Sequence, residues 1–151
     1  MKRENINLIE SSRIRLMWET DRWDVTLTGI LKLDDRTTCF FKRAYHPADA
    51  EEGRISYEDK EYNRYDVFEL STKEAKHELN MHNDFVQYVG SHTDIINNDP
   101  RSLGRKSHLV KSLEEHKKFY DKYPPEGQKK YEDNKYLGSF YMTVGGIESS
   151  I

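Results

Sequence analysis

The chain is poor in the residues that carry the commonest structural and metal chemistry. Of 151 residues only one, Cys39, is a cysteine, which excludes an intrachain disulfide and a cysteine-based zinc site. No stretch approaches the roughly 20 apolar residues that a membrane helix needs. The first residues, MKRENINLIESS, hold basic side chains but no apolar core of the kind a secretory signal requires. Charge of one sign is also lacking. With 24 basic and 27 acidic residues the net charge is −3, too small for a global field that recruits duplex nucleic acid or an anionic membrane. Fixed-spacing motifs are missing too: there is no EF-hand loop, no glycine-rich dinucleotide loop, no nucleophile elbow and no RNA-binding aromatic pair. These absences point to a soluble, cytoplasmic protein of one domain, with no cofactor and no metal.

Aromatic residues are plentiful. Ten tyrosines, six phenylalanines and two tryptophans set the chain apart from disordered sequences, although 34% of its residues are charged. Tyrosine suits surfaces that are part apolar and part wet, so an interaction face is compatible with this content.

The stretch Trp23–Arg43 organises the rest. Two β-favouring runs, Val25–Leu33 and Thr37–Phe41, flank an Asp34-Asp35-Arg36 turn, the strongest hairpin signal in the chain. Cys39, between Thr38 and Phe40, reads as a buried thiol. Upstream, Ile14, Leu16 and Trp18 alternate with Arg13, Arg15 and Met17 as in a strand with one buried face, and Glu19–Arg22 reads as a polar turn. Residues 1–11 and 145–151 are read as polar ends, the first either a loose arm or a short first strand. Tyr45–Tyr62 is a long acidic connection in which Ile55-Ser56-Tyr57 has the pattern of a short edge strand. Arg64–Leu70 is the next strand.

Ser71-Thr72-Lys73-Glu74 is a capping box, and Ala75, Leu79, His82, Val86 and Val89 follow at helical spacing to Gly90. His82, on that apolar face, reads as a core histidine. After the turn-rich segment 91–106, a second helix starts from Ser102 or Ser107 and runs to about Tyr123, before Pro124-Pro125. Lys135–Val144 is the last strand, its Gly138 marking a bulge or a close contact. This order predicts an α+β fold, an antiparallel sheet of about five strands with two helices packed on one face.

Two places carry candidate chemistry. In the 91–107 loop, His92 and Asp94 have the spacing of a general base and its orienting carboxylate. Arg101, Arg105, Lys106 and Ser107 lie before the second helix, where free amides and the helix dipole favour a small anionic ligand. The Gly104-Arg105-Lys106-Ser107 run lacks the first glycine of a phosphate-binding loop and has Arg105 before its lysine. In the acidic 45–62 connection, Tyr57, Glu58 and Tyr62, with Trp23 from the hairpin, have the makeup of a partner-binding surface.

Opposed acidic and basic patches favour oriented contact with another protein, and allow self-association. The expectation is a non-enzymatic protein–protein interaction module of the immunity, inhibitor or adaptor type. The alternative is a hydrolase or binder of a phosphate-containing small molecule working from the 91–107 loop.

Overall fold

The computed structural model describes residues 5–23, 25–89, 94–95, 112–124, 131–143 and 146–147. They form an antiparallel sheet of five main strands: β1 (Ile14–Trp23), β2 (Val25–Leu33), β3 (Thr38–Arg43), β4 (Arg64–Glu69) and β6 (Tyr136–Thr143). Two-residue strands β5 (Asp94–Ile95) and β7 (Gly146–Ile147) extend its edges, giving the order β5-β1-β2-β3-β4-β6-β7. The helices are α1 (Pro47–Glu51), α2 (Thr72–Tyr88) and α3 (Leu113–Lys122). The fold is α+β, as the segregation of strands from helices implies. No helix among the described residues is long and apolar enough to cross a membrane.

Both faces of the sheet are buried. On one, Met17, Leu31, Cys39, Phe41, Val67 and Phe140 form an apolar core with Ile9 and Ile14. Phe41, Tyr65 and Phe140 are its aromatic centre, with ring centroids 5.3–5.7 Å apart. On the other, Trp18, Ile30, Phe40, Phe68, Leu70 and Tyr131 pack together, and Ala75 of α2 joins them. Burial also pushes the Cys39 thiol up to about 12, which makes it a poor nucleophile at neutral pH.

The N-terminal segment ties the two far strands together. The Ile9 amide donates to the Ser139 carbonyl (2.8 Å) and the Ser139 amide to the Asn7 carbonyl (2.7 Å). The same chain runs on into β1, at the other end of the five-strand order, where the Arg13 carbonyl accepts from Asp34 N. The sheet therefore curls around its Phe41–Tyr65–Phe140 core. Gly138 is the close contact that this needs, since a Cβ there would lie 2.6 Å from both the Asn7 carbonyl oxygen and Ile9.

Several expectations change. Glu19–Arg22 is not a turn: β1 continues to Trp23, with register shifts between Glu19 and Asp21 and between Asp21 and Arg22 absorbing the polar residues. A further shift between Ile14 and Leu16 breaks the simple alternation, so Ile14 and Met17 share the inner face while Trp18 faces the helices. Ile55-Ser56-Tyr57 is no strand. The connection is instead built from α1 and a 3₁₀ turn over Lys60–Asn63.

The Ser71 capping box forms as the spacing predicts, with Glu74 N on Ser71 Oγ (3.1 Å) and Ser71 N on Glu74 Oε1 (2.9 Å). The cap of α3 is Ser112, not Ser102 or Ser107, and its first turn carries Glu114 and Glu115. Those carboxylates take up the favourable field of the helix start, so this N-terminus is not a site for an anion.

α3 is held to α2 by Asp84, whose Oδ2 accepts from Lys122 Nζ (2.8 Å) and from the Tyr123 hydroxyl (2.7 Å). These bonds hold the Asp84 carboxyl below its ordinary 3.8, Lys122 being the larger cause. A carboxyl with a depressed folded pKa stabilises fully above its unfolded pKa and loses that contribution as pH falls through the folded value. Asp84→Asn is therefore expected to melt earlier than the wild type at pH 6, with the gap closing below pH 3.8. Melting curves from acid to neutral pH check this, and a gap that stays constant or widens in acid contradicts it.

Candidate functional site

The strand register gathers one set of side chains at the β1–β2 turn end of the sheet. Trp23 pairs with Val25 across the turn, and Arg43 at the end of β3 pairs with Tyr65 at the start of β4. Trp23 is 44% exposed, and its indole stacks on the His46 ring with centroids 4.5 Å apart and planes 30° apart. His46 is set in place by local sequence. Its Nδ1 accepts from Ala48 N (3.1 Å), its amide donates to Asp49 Oδ2 (2.8 Å), and Pro47 is preset for the first helical position. This capping box fixes the ring against Trp23. With Nδ1 accepting, the proton of neutral His46 sits on Nε2. Asp49 also accepts from Arg54 Nε (2.8 Å), which is the main cause holding its carboxyl below the ordinary value.

Arg43 lies beneath this ledge and is 4% exposed. Its Nη1 donates to the Tyr65 hydroxyl (2.9 Å), which donates in turn to the Thr26 carbonyl (2.6 Å). Nη2 donates to Asn63 Oδ1 (3.1 Å), and the guanidinium lies 4.3 Å from the centre of the Tyr62 ring. Tyr57 packs edge-on against Tyr62 at 5.2 Å and is itself 56% exposed. Contact by contact, the cluster runs from the buried Tyr65 hydroxyl through Arg43 and Tyr62 to an exposed tyrosine.

A cleft of about 300 Å³ opens at this end, lined by Asp21, Leu27, Thr28, Lys42, Arg43, Ala44, His46 and Asp49. A second cavity of about 120 Å³ lies between β1, α2 and α3, lined by Trp18, Thr20, Met81, His82, Phe85, Phe119 and Tyr120. His82 is buried there and stacks on Trp18 at 4.2 Å, a core position as its place on the apolar helix face implies. Among the described residues no group of three or more His, Cys, Asp or Glu is arranged to hold a metal ion.

Of the residues singled out from sequence, Trp23, Tyr57 and Glu58 are exposed, and Trp23 and Tyr57 belong to the Trp23–His46 and Arg43–Tyr62–Tyr57 groups at this end. Tyr62 differs from expectation. It is 7% exposed because the Arg43 guanidinium covers its ring, so it supports Tyr57 from below. His92, Arg101, Arg105, Lys106 and Ser107 lie outside the described residues. Asp94 pairs through its backbone with Trp18 in the β1–β5 ladder, and its side chain lies outside the described residues.

Sequence reading missed His46, Asp21 and Arg43. The His46-Pro47-Ala48-Asp49 run carried a helix-start signal, a proline at the first position with a carboxylate two residues on. Nothing local marks Arg43, because its role depends on Asn63 and Tyr65 about twenty residues away. No protein-family model, no curated protein and no solved structure matches this chain.

Proposed function

We propose that the protein is a non-enzymatic recognition module that binds another protein through the β1–β2 turn end of its sheet. The observation that carries this reading is the pair of exposed aromatics at that end, Trp23 (44%) and Tyr57 (56%), each backed by a fixed side chain. Large aromatics already held in place lose little freedom on binding, which makes them good anchors.

The surroundings favour a basic partner. Residues 45–62 contain six carboxylates (Asp49, Glu51, Glu52, Glu58, Asp59, Glu61) against two cations, Arg54 and Lys60. Glu51, Glu52, Glu58 and Asp59 are all exposed. Such a rim steers a positively charged surface and sets orientation, while the aromatics supply most of the affinity.

Affinity capture with the wild-type chain, followed by amide-exchange mapping of the complex, tests the reading. Protection is expected over Asp21–Trp23 and His46–Tyr62, with capture weakening as salt rises. Protection confined to α2 and α3, with this end unprotected, contradicts it.

A further inference from the structure

We propose that the cleft beside Arg43 is a binding site for a small organic carboxylate, with the Arg43 guanidinium as its counter-ion. This goes beyond the partner surface and does not depend on it. Arg43 is 4% exposed, and among the described residues no carboxylate lies within ion-pair distance of it. Its two hydrogen-bond acceptors, the Tyr65 hydroxyl and Asn63 Oδ1, are neutral, and its Nε has no acceptor at all. A guanidinium cannot shed its charge, so burial without an anion is costly.

The same sheet shows how this chain compensates a buried arginine when the compensation is internal. Arg64, also fully buried, has Asp66 on its Nε at 3.0 Å and Glu61 on its Nη1. Arg43 has no such pair, but it lines a cleft of about 300 Å³, at the small end of ligand-site volumes of ~300–1,000 Å³.

The other lining groups narrow the ligand. Lys42 is engaged by Glu132 (3.1 Å) and Asp49 by Arg54, so these two largely cancel within the protein. Asp21 and Asp49 nevertheless add negative potential, which disfavours an anion of higher charge and selects a singly charged carboxylate over a phosphate dianion. Leu27 and Ala44 give the ligand's apolar body a wall to lie against.

The test is a thermal-shift and calorimetric titration of the full chain with acetate, butyrate, benzoate and inorganic phosphate at fixed ionic strength and pH 7.5, against chloride. Butyrate or benzoate is expected to bind saturably and raise the melting temperature, acetate and phosphate less so. Arg43→Gln removes an uncompensated buried charge, so its unliganded form is expected to melt no lower than the wild type while its carboxylate affinity falls at least tenfold. Ala44→Leu keeps Arg43 and narrows the cleft, and is expected to lose benzoate before acetate. The proposal is overturned if no carboxylate binds saturably, if phosphate binds more tightly than every carboxylate, or if both variants bind as the wild type does. Should Arg43→Gln fail to fold, Ala44→Leu alone decides.

Discussion

Arg64→Met is expected to remove most of the stability of this fold. Arg64 is fully buried, with its Nε on Asp66 Oδ1 (3.0 Å) and Nη1 on Glu61. Asp66 Oδ1 also accepts from Ser139 Oγ (2.7 Å), Ser139 shares a hydrogen bond with Tyr136 (2.6 Å), and Tyr141 donates to Glu61 Oε1 (2.9 Å). Burial, then the bond to Glu61, pushes the Tyr141 phenol up to about 12, so it stays a donor throughout the neutral range.

Removing the guanidinium leaves Asp66, itself only 7% exposed, as a buried charge without its cation. Breaking one side of such a pair costs about 3–5 kcal/mol, against a total of roughly 5–15 kcal/mol for a domain. Urea melts check this as a fall in midpoint with an unchanged slope. Arg64→Met with Asp66→Asn is expected to regain part of the loss, since the orphaned charge is gone. A single-variant loss below about 1 kcal/mol, the scale of an exposed ion pair, shows that the network is hydrated and that the account of it is wrong.

Gly29→Ala is expected to be the most damaging methyl addition in the sheet. Gly29 sits in β2 opposite Glu19 on one side and Phe41 on the other. A Cβ there would collide with the Phe41 ring and with the Trp18 carbonyl oxygen. Phe41 is locked among Tyr65 and Phe140, and the Trp18 carbonyl belongs to the backbone of the neighbouring strand, so neither yields cheaply.

Overpacking a core costs about 1–3 kcal/mol, and a backbone clash puts this site at the upper end. For a domain of this size each kcal/mol corresponds to roughly 2–4 °C of melting temperature. The double variant Gly29→Ala with Phe41→Leu separates the two collisions: relief measures the ring, and the residue of the loss measures the carbonyl. A single variant that melts with the wild type means that the strands are further apart at this point than the geometry requires.

The parts of the fold that were legible in the sequence are those set by local chemistry. Ser71-x-x-Glu74 announces a helix because its two hydrogen bonds close within four residues. The Val25–Arg43 hairpin announces itself through β-branched and aromatic runs around Asp-Asp-Arg, and Arg36 does take the left-handed conformation (φ 70°) that a tight turn requires.

The less legible parts depend on distant partners. The bulges in β1 follow from side chains facing β2, such as the Thr26 hydroxyl on Glu19 Oε2 (2.6 Å) and the Thr20–Thr28 hydroxyl pair (2.8 Å). The tie from Asn7 and Ile9 to Ser139 spans nearly the whole chain and has no local mark. The site divides in the same way. Trp23 and Tyr57 were visible as aromatics among carboxylates, whereas Arg43 looked like one more strand-end cation until β4 supplied Asn63 and Tyr65.

The recognition proposal is tested most directly by the affinity of a captured partner for Trp23→Ala with Tyr57→Ala, measured beside the wild type over a salt series. Both side chains are exposed, so the variant is expected to melt as the wild type does. Anchor aromatics cost about 2 kcal/mol or more on truncation, so a loss of affinity of at least ~30-fold is expected at low salt, each 1.4 kcal/mol being tenfold. An affinity unchanged within twofold at every salt concentration contradicts the proposal, because the partner would then be held by some other part of the molecule.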